Sequence, residues 1–226
     1  MSQYYSIAID GPAGAGKSSL AKALAARLGF LYVDTGAIYR TVGLYVARRG
    51  GDCGKLEEVL PRLPEIKLSL RHGDDGQQHM FLGAEDVTEA IRENAVSRYA
   101  SQVSAHQPVR DFLLDMQREL ARQHNVIMDG RDIGTVVLPQ ADVKIFLTAS
   151  VEQRALRRCR ELEARGQAVD LETLKKEIAQ RDYDDSHRAA APLRQAEDAV
   201  VLDTSQLDLQ QSLEALLTLV KERLPL

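Results

Sequence analysis

The chain has 226 residues, 44% of them hydrophobic, which is enough to bury a full core as one or two compact domains, with one core carrying an insert the expected arrangement. A formal net charge of −4 weighs against a long polyanionic partner such as nucleic acid, which needs a broad basic surface, yet leaves room for a local basic pocket around a small phosphate. No leader pattern opens residues 1–5, no apolar run of about twenty residues offers a membrane span, and Cys53 and Cys159 lack Cys-x-x-Cys spacing, so a cytoplasmic protein without a disulfide framework, zinc site or membrane anchor is expected.

Residues 4–10 read as a short apolar strand running into Gly11-Pro12-Ala13-Gly14-Ala15-Gly16-Lys17-Ser18, after which an alanine- and leucine-rich helix extends to Leu28. This matches the pattern G-x-x-x-x-G-K-[ST], whose glycines let successive backbone N–H groups face a nucleotide's phosphates while the helix adds its positive dipole end. Lys17 then supplies a mobile cation for the β- and γ-phosphates, and Ser18 or Ser19 meets magnesium directly or through water. A strand before and a helix after the loop separate it from an ordinary glycine-rich turn. The five histidines show no metal-ligand spacing, so any metal is expected to arrive with the substrate.

Gly29 stands where a helix commonly ends, and residues 30–33 predict a second strand. Residues 65–70 and 79–82 flank a polar turn at 71–76 and predict a small antiparallel insert. Three more strands follow at 125–129, 143–147 and 199–202, separated by helical segments, which implies a parallel sheet covered on both faces. Residues 150–165 predict a charged helix ending at Gly166, and leucines at helical spacing over 207–224 predict a closing helix.

A phosphate loop alone does not separate a kinase from an ATPase switch; something must identify an acceptor. Three arginine-bearing clusters offer one: Asp34-Thr35-Gly36-Ala37-Ile38-Tyr39-Arg40, Asp129-Gly130-Arg131-Asp132-Ile133-Gly134-Thr135, and Arg181-Asp182-Tyr183-Asp184-Asp185-Ser186-His187-Arg188. Each follows or approaches a predicted sheet edge. Ligands of a doubly wound sheet bind beyond the carboxyl ends of its strands, so the first two clusters are candidates to face the phosphate loop.

With Asp10-Gly11-Pro12, the phosphate loop, these three clusters and Ala100-Ser101-Gln102-Val103 in this order, the sequence resembles bacterial cytidylate kinases over nearly its whole length. The resemblance implies an α/β, three-layer fold of the P-loop NTPase type with a five-stranded parallel sheet. It also implies an acceptor-binding region over about 35–120, including the insert near 65–88, and a short lid over about 150–166. The implied activity is transfer of the γ-phosphate of ATP to CMP or dCMP with Mg2+, by a monomer acting on small molecules. It assigns the loop residues Gly11 to Ser19 to ATP and Arg40, Arg131 and Arg188 to the acceptor phosphate. Thr35, Ser101, Arg110 and Asp132 would frame the base, and Asp185 with Arg181 the ribose. Cytosine's exocyclic amine suits the Asp132 carboxylate and its ring acceptors suit Arg110 and Ser101, whereas uracil reverses that edge. Thr35 stands where relatives often carry serine, and Ser18-Ser19 where glycine-threonine is frequent; the hydroxyls are kept.

Other assignments stay open on the residues themselves. Arg154, Arg157, Arg158, Arg160 and Arg165 either close as a lid, with Arg157 the foremost candidate for catalysis, or form a solvated helix laced with pairs to Glu161 and Glu163. Asp129 serves either magnesium-bound water or a turn. Asp182 and Asp184 are read as solvated, and Tyr39 as packing beside Arg40.

Overall fold

The structure, a computed structural model, describes residues 4–73, 77–164, 166–167 and 169–225. Part of the expected turn, residues 74–76, and the candidate lid residue Arg165 lie outside them. In chain order the elements are β1 (Ser6–Asp10), α1 (Lys17–Leu28), β2 (Leu31–Asp34), α2 (Thr35–Arg48), α3 (Leu56–Val59), β3 (Leu68–His72), β4 (Gln78–Leu82), β5 (Glu85–Asp86), α4 (Asn94–Ser104), α5 (Gln107–Gln123), β6 (Val126–Gly130), β7 (Val143–Thr148), α6 (Val151–Glu163), α7 (Leu171–His187), β8 (Val200–Asp203) and α8 (Leu209–Lys221). The chain divides into two compact units, Met1–Tyr32 with Ala121–Leu226, and Val33–Leu120. Among the described residues no helix is long and apolar enough to cross a membrane.

The five-stranded sheet has the order β2-β6-β1-β7-β8. Its central strand β1 pairs in parallel with β6, from Ser6↔Val126 to Asp10↔Gly130, and with β7, from Ile7↔Val143 to Asp10↔Phe146. The chain therefore passes from one side of β1 to the other between β6 and β7, and the crevice beyond their carboxyl ends is the ligand position of such sheets. Burial on both faces explains why β1 and β6 read as unbroken apolar runs ending in a charge. Leu20 and Leu24 of α1 and Leu216 and Val220 of α8 pack into this core, and fully burying one such leucine contributes about 1.5–3 kcal/mol. Gly29 ends α1 in the left-handed conformation at φ 67°, as the sequence predicts. α8 opens with a reciprocal cap between Asp208 and Gln211. A separate small cluster, Ala155, Leu162, Leu174 and Ile178, joins α6 to α7.

In the second unit α2 begins immediately after β2, capped by Asp34, whose side chain accepts from the Ala37 N–H. It packs closely on α4: a Cβ at Gly43 would lie 2.7 Å from that of Tyr99, so the two backbones approach as only glycine permits. β3 and β4 form the predicted antiparallel pair, Leu68↔Leu82 through His72↔Gln78.

Four features depart from the sequence reading. Residues 65 and 66 end a 3-10 turn rather than opening a strand, and a third short strand, β5, joins β4. The Arg181–Arg188 cluster lies along the end of α7 rather than at a sheet edge. Between β6 and β7 the chain makes a single π-helical turn, Ile133–Val137.

Candidate functional site

The phosphate loop leaves β1 at Gly11, whose φ is 150° and whose place tolerates no side chain, since a Cβ there would stand 1.9 Å from the Leu147 carbonyl oxygen. Gly16 caps α1 in the left-handed region at φ 92°. Lys17 is the first residue of that helix, buried, with its Nζ donating to the Pro12 carbonyl at 2.8 Å. Burial above all, and next the Arg131 charge, push its ammonium down to about 7, while Asp129, Asp10 and Asp185 draw it up. The protein alone thus leaves the lysine short of negative charge, which a polyphosphate would supply. Ser18 Oγ donates to Asp129 Oδ2 at 2.8 Å and Tyr32 Oη to Asp129 Oδ1 at 2.9 Å. A hydroxyl and a carboxylate side by side are the hard oxygen donors that Mg2+ prefers.

Asp132, Arg131, Asp185 and Arg188 form one knot. Arg131 follows β6 and donates through Nε to Asp185 Oδ2 at 2.8 Å. Arg188, at the end of α7, places Nη1 3.8 Å from Asp185 Oδ1 and Nη2 3.9 Å from Asp132 Oδ1, while Nε and Nη2 bond the Ala191 carbonyl. Burial opposes the charge of Asp185, but Arg131, then Arg181 and Arg188, hold its carboxyl below the usual range. Arg181 itself is exposed. Arginines distant in sequence therefore share one carboxylate, and the same Arg131 bears electrostatically on Lys17.

The second unit carries the remaining candidates. Arg40 pairs with Asp34 at 2.7 Å, and its buried Nε has no hydrogen-bond partner. Asp34 is clamped in turn by Gln78, which accepts from its N–H and donates to its carbonyl. Thr35 is buried at the start of α2, and Ser101 is half-buried on α4. Arg110, buried on α5, donates to the Ser104 carbonyl at 2.9 Å, and its guanidinium carbon lies 5.2 Å from the centre of the Tyr39 ring. Tyr39 thus packs under Arg110, whereas Arg40 is drawn to Asp34.

The charged helix α6 resolves into distinct roles. Arg158 makes a surface pair with Glu161 at 3.1 Å, as a solvated helix would. Arg154 is buried, bonding the Ala149 and Ala13 carbonyls and, through two nitrogens, Asp182 at 3.0 and 2.6 Å. Asp182 is therefore ion-paired, not merely solvated as its sequence suggests; Asp184 is exposed, bonded to Gln180. Arg157 bonds the Ala15 carbonyl at 3.3 Å and the Thr204 carbonyl at 2.7 Å, which sets it against the phosphate loop. Sequence reasoning missed Arg154 as a brace of that loop, Gln78 as the clamp on Asp34, and Asp10, whose buried carboxylate accepts from the Ile133 and Gly134 N–H groups at 2.7 Å each. A charge closing an otherwise apolar strand was the available signal for Asp10.

The chain is similar to known proteins over nearly its whole length. The family profile described as cytidylate kinase matches residues 7–222. Two proteins named cytidylate kinase, from Streptococcus pneumoniae strains 70585 and Hungary19A-6, are each 49% identical over 218 residues, covering 96% of this chain and 98% of the relative. The crystal structure of an uncharacterized protein from Eubacterium ventriosum ATCC 27560 is similar at a TM-score of 0.52 and 14% identity, covering 98% of this chain and 100% of that one, a likeness of fold alone.

Proposed function

This chain belongs to the cytidylate kinase family, and from that premise we propose that it transfers the γ-phosphate of ATP to CMP, and to dCMP, giving ADP and the corresponding diphosphate. An oxygen of the acceptor's phosphate attacks the γ-phosphorus in line, the bond from that phosphorus to the β-bridging oxygen breaks, and ADP departs. A phosphate monoester is already ionised and nucleophilic, so positioning and electrostatics carry the acceleration and no general base is needed.

The backbone N–H groups of the loop from Gly11 to Ser19, proline excepted, and the Lys17 ammonium hold the donor's phosphates. Arg131, Arg188 and Arg40 hold the acceptor's phosphate. Thr35, Ser101, Arg110 and Asp132 frame cytosine, and Asp185 with Arg181 meets the ribose. Arg157 neutralises charge beside the loop, within a lid over about 150–166. Ser18 and Asp129 are the residues that would hold Mg2+, directly or through water; bound with ATP it would supply positive charge to the transferring phosphate. We read the chain as a monomer acting on free nucleotides in the cytoplasm.

One observation best supports the assignment beyond ATP binding: Arg131 and Arg188 converge on Asp185 and the Arg131 charge bears on Lys17, an arrangement that favours a second phosphate near the first. The test is ADP production from ATP and magnesium with CMP, dCMP, UMP, AMP or no acceptor, with CDP identified by chromatography. CMP-dependent CDP formation over a low background is expected. ADP formed equally without acceptor would instead mark an ATP-hydrolysing switch.

A further inference from the structure

Asp132 occupies the N-cap position of the π-helical turn Ile133–Val137, where an aspartate ordinarily bends its own carboxylate onto the first free N–H groups. Its side chain makes no such bond. The N–H groups of Ile133 and Gly134 donate instead to Oδ1 and Oδ2 of Asp10, at the carboxyl end of β1. Both bonds are 2.7 Å long and charge-assisted. The turn is seated firmly: a Cβ at Gly134 would come within 3.4 Å of Asp10 Oδ2 and 3.2 Å of the Lys144 side chain. We propose that Asp10 is a positioning residue for cytosine recognition, capping this turn in place of Asp132 so that the Asp132 carboxylate stays turned toward the acceptor.

The inference rests on Asp132 reading the cytosine amine. Remove the Asp10 cap, and two buried N–H groups lose their acceptors; the Asp132 carboxylate, already at the N-cap, is then drawn to that of Gly134. Cytosine would lose its partner without any change in Asp132 itself. Donor binding should change less, because the loop's N–H groups and Lys17 are not the groups released and Asp129, the larger of the charges that draw the Lys17 ammonium up, remains.

The test is steady-state kinetics and thermal melting of Asp10→Asn, Asp132→Asn and the double variant, with CMP, UMP and ATP varied in turn. Asparagine retains one carbonyl oxygen but offers an amine to the second N–H. Expected for Asp10→Asn is a rise in the KM for CMP of about tenfold or more, a matching fall in the CMP-over-UMP ratio, and an ATP KM within about twofold of the parent. Added to Asp132→Asn, it should cost no further preference, since the carboxylate it positions is gone. Equal losses for CMP and UMP, a parallel rise in the ATP KM, or additive effects in the double variant would overturn the proposal. If Asp132→Asn leaves the preference intact, the reading of Asp132 itself fails; if Asp132→Asn erodes it and Asp10→Asn does not, only the cap hypothesis fails. Should Asp10→Asn not fold, Asp10→Ser is read in its place, and failure of both to fold assigns Asp10 to stability and overturns the positioning role.

Discussion

The carboxyl edge of the parallel sheet and the antiparallel meander handle charge in opposite ways. At the first, Asp10, Lys17, Asp129 and Asp132 are buried, as are Arg154 and Asp185 on the helices beside it. Around the second, Arg48–Glu85, Arg49–Glu65 and His79–Asp86 lie at the surface. Exposed pairs of this kind contribute about 0–1 kcal/mol, because water solvates both partners nearly as well apart. Buried charges start from a desolvation penalty that pairing only partly offsets. On the proposed reading the inner charges act on phosphates and bases, while the outer ones are largely interchangeable. Substitutions at the sheet edge should therefore cost activity, and stability as well wherever one partner of a buried pair is left behind, whereas those on the meander should cost little of either.

The sharpest separation is expected at Lys17. Lys17→Ala should lower transfer to every acceptor by about a hundred- to a thousandfold or more, while the melting temperature at pH 7 holds or rises. The sign follows from the lowered folded-state value of about 7 against an ordinary 10.5: between these, the unfolded chain keeps a proton that the folded chain has released, so stability climbs with pH across that window. Lys17→Ala should flatten that climb in urea unfolding between pH 7 and 10. A variant that melts much earlier at pH 7 would show that the lysine is structural. Next in size, Asp132→Ala should erode the preference for CMP over UMP by about ten- to a hundredfold with a lesser effect on kcat; equal losses with both acceptors would break the base assignment.

Asp10 offers a pH test of the same contrast. Burial above all lifts its carboxyl to about 6, against the bonds from Gly134 and Ile133 that lower it; Asp132 adds to the rise and Lys17 opposes it. For an acid with a raised folded-state value, the stabilising contribution is whole below the unfolded value of 3.8 and is lost as pH rises through about 6. The wild type should therefore lose on the order of 2–3 kcal/mol relative to Asp10→Asn across that interval, measured as the difference between their urea midpoints at pH 4 and pH 7. A constant difference would mean that Asp10 is ionised throughout.

The parallel strands and the phosphate loop were legible because buried parallel strands must be apolar runs and a phosphate cradle must be rich in glycine; the structure moves the ends of those strands by no more than two residues. The arginines were legible as clusters, though not their partners. Asp10 caps a turn beginning at Ile133, and Arg154 finds Asp182 on the next helix. Such pairings join distant positions and leave no local periodicity. β5 is two exposed acidic residues, too short and too polar to signal a strand. Ser101 and Arg110 were candidates only through family resemblance, since a hydroxyl or a guanidinium on a helix carries no mark of what it faces.

The smallest effect tests the other side of the comparison. Arg48 Nη1 reaches both carboxylate oxygens of Glu85, at 2.8 and 2.9 Å, which makes this the best-placed of the meander's pairs. Its side chains are nevertheless 43% and 56% exposed. Each partner would regain most of its hydration on separation, and holding two long side chains in one geometry costs rotamer entropy. Arg48 also sits in the last turn of α2, where a cation favours the helix dipole, so its removal should cost slightly more than that of Glu85. A double-mutant cycle with Arg48→Ala and Glu85→Ala should yield a coupling below about 1 kcal/mol, diminished by added salt, with the KM for CMP unchanged. A larger, salt-insensitive coupling would show that β5 is held by this pair rather than by its backbone bonds to β4, and the rule that separates the two regions would then be one of position in the fold instead of exposure to water.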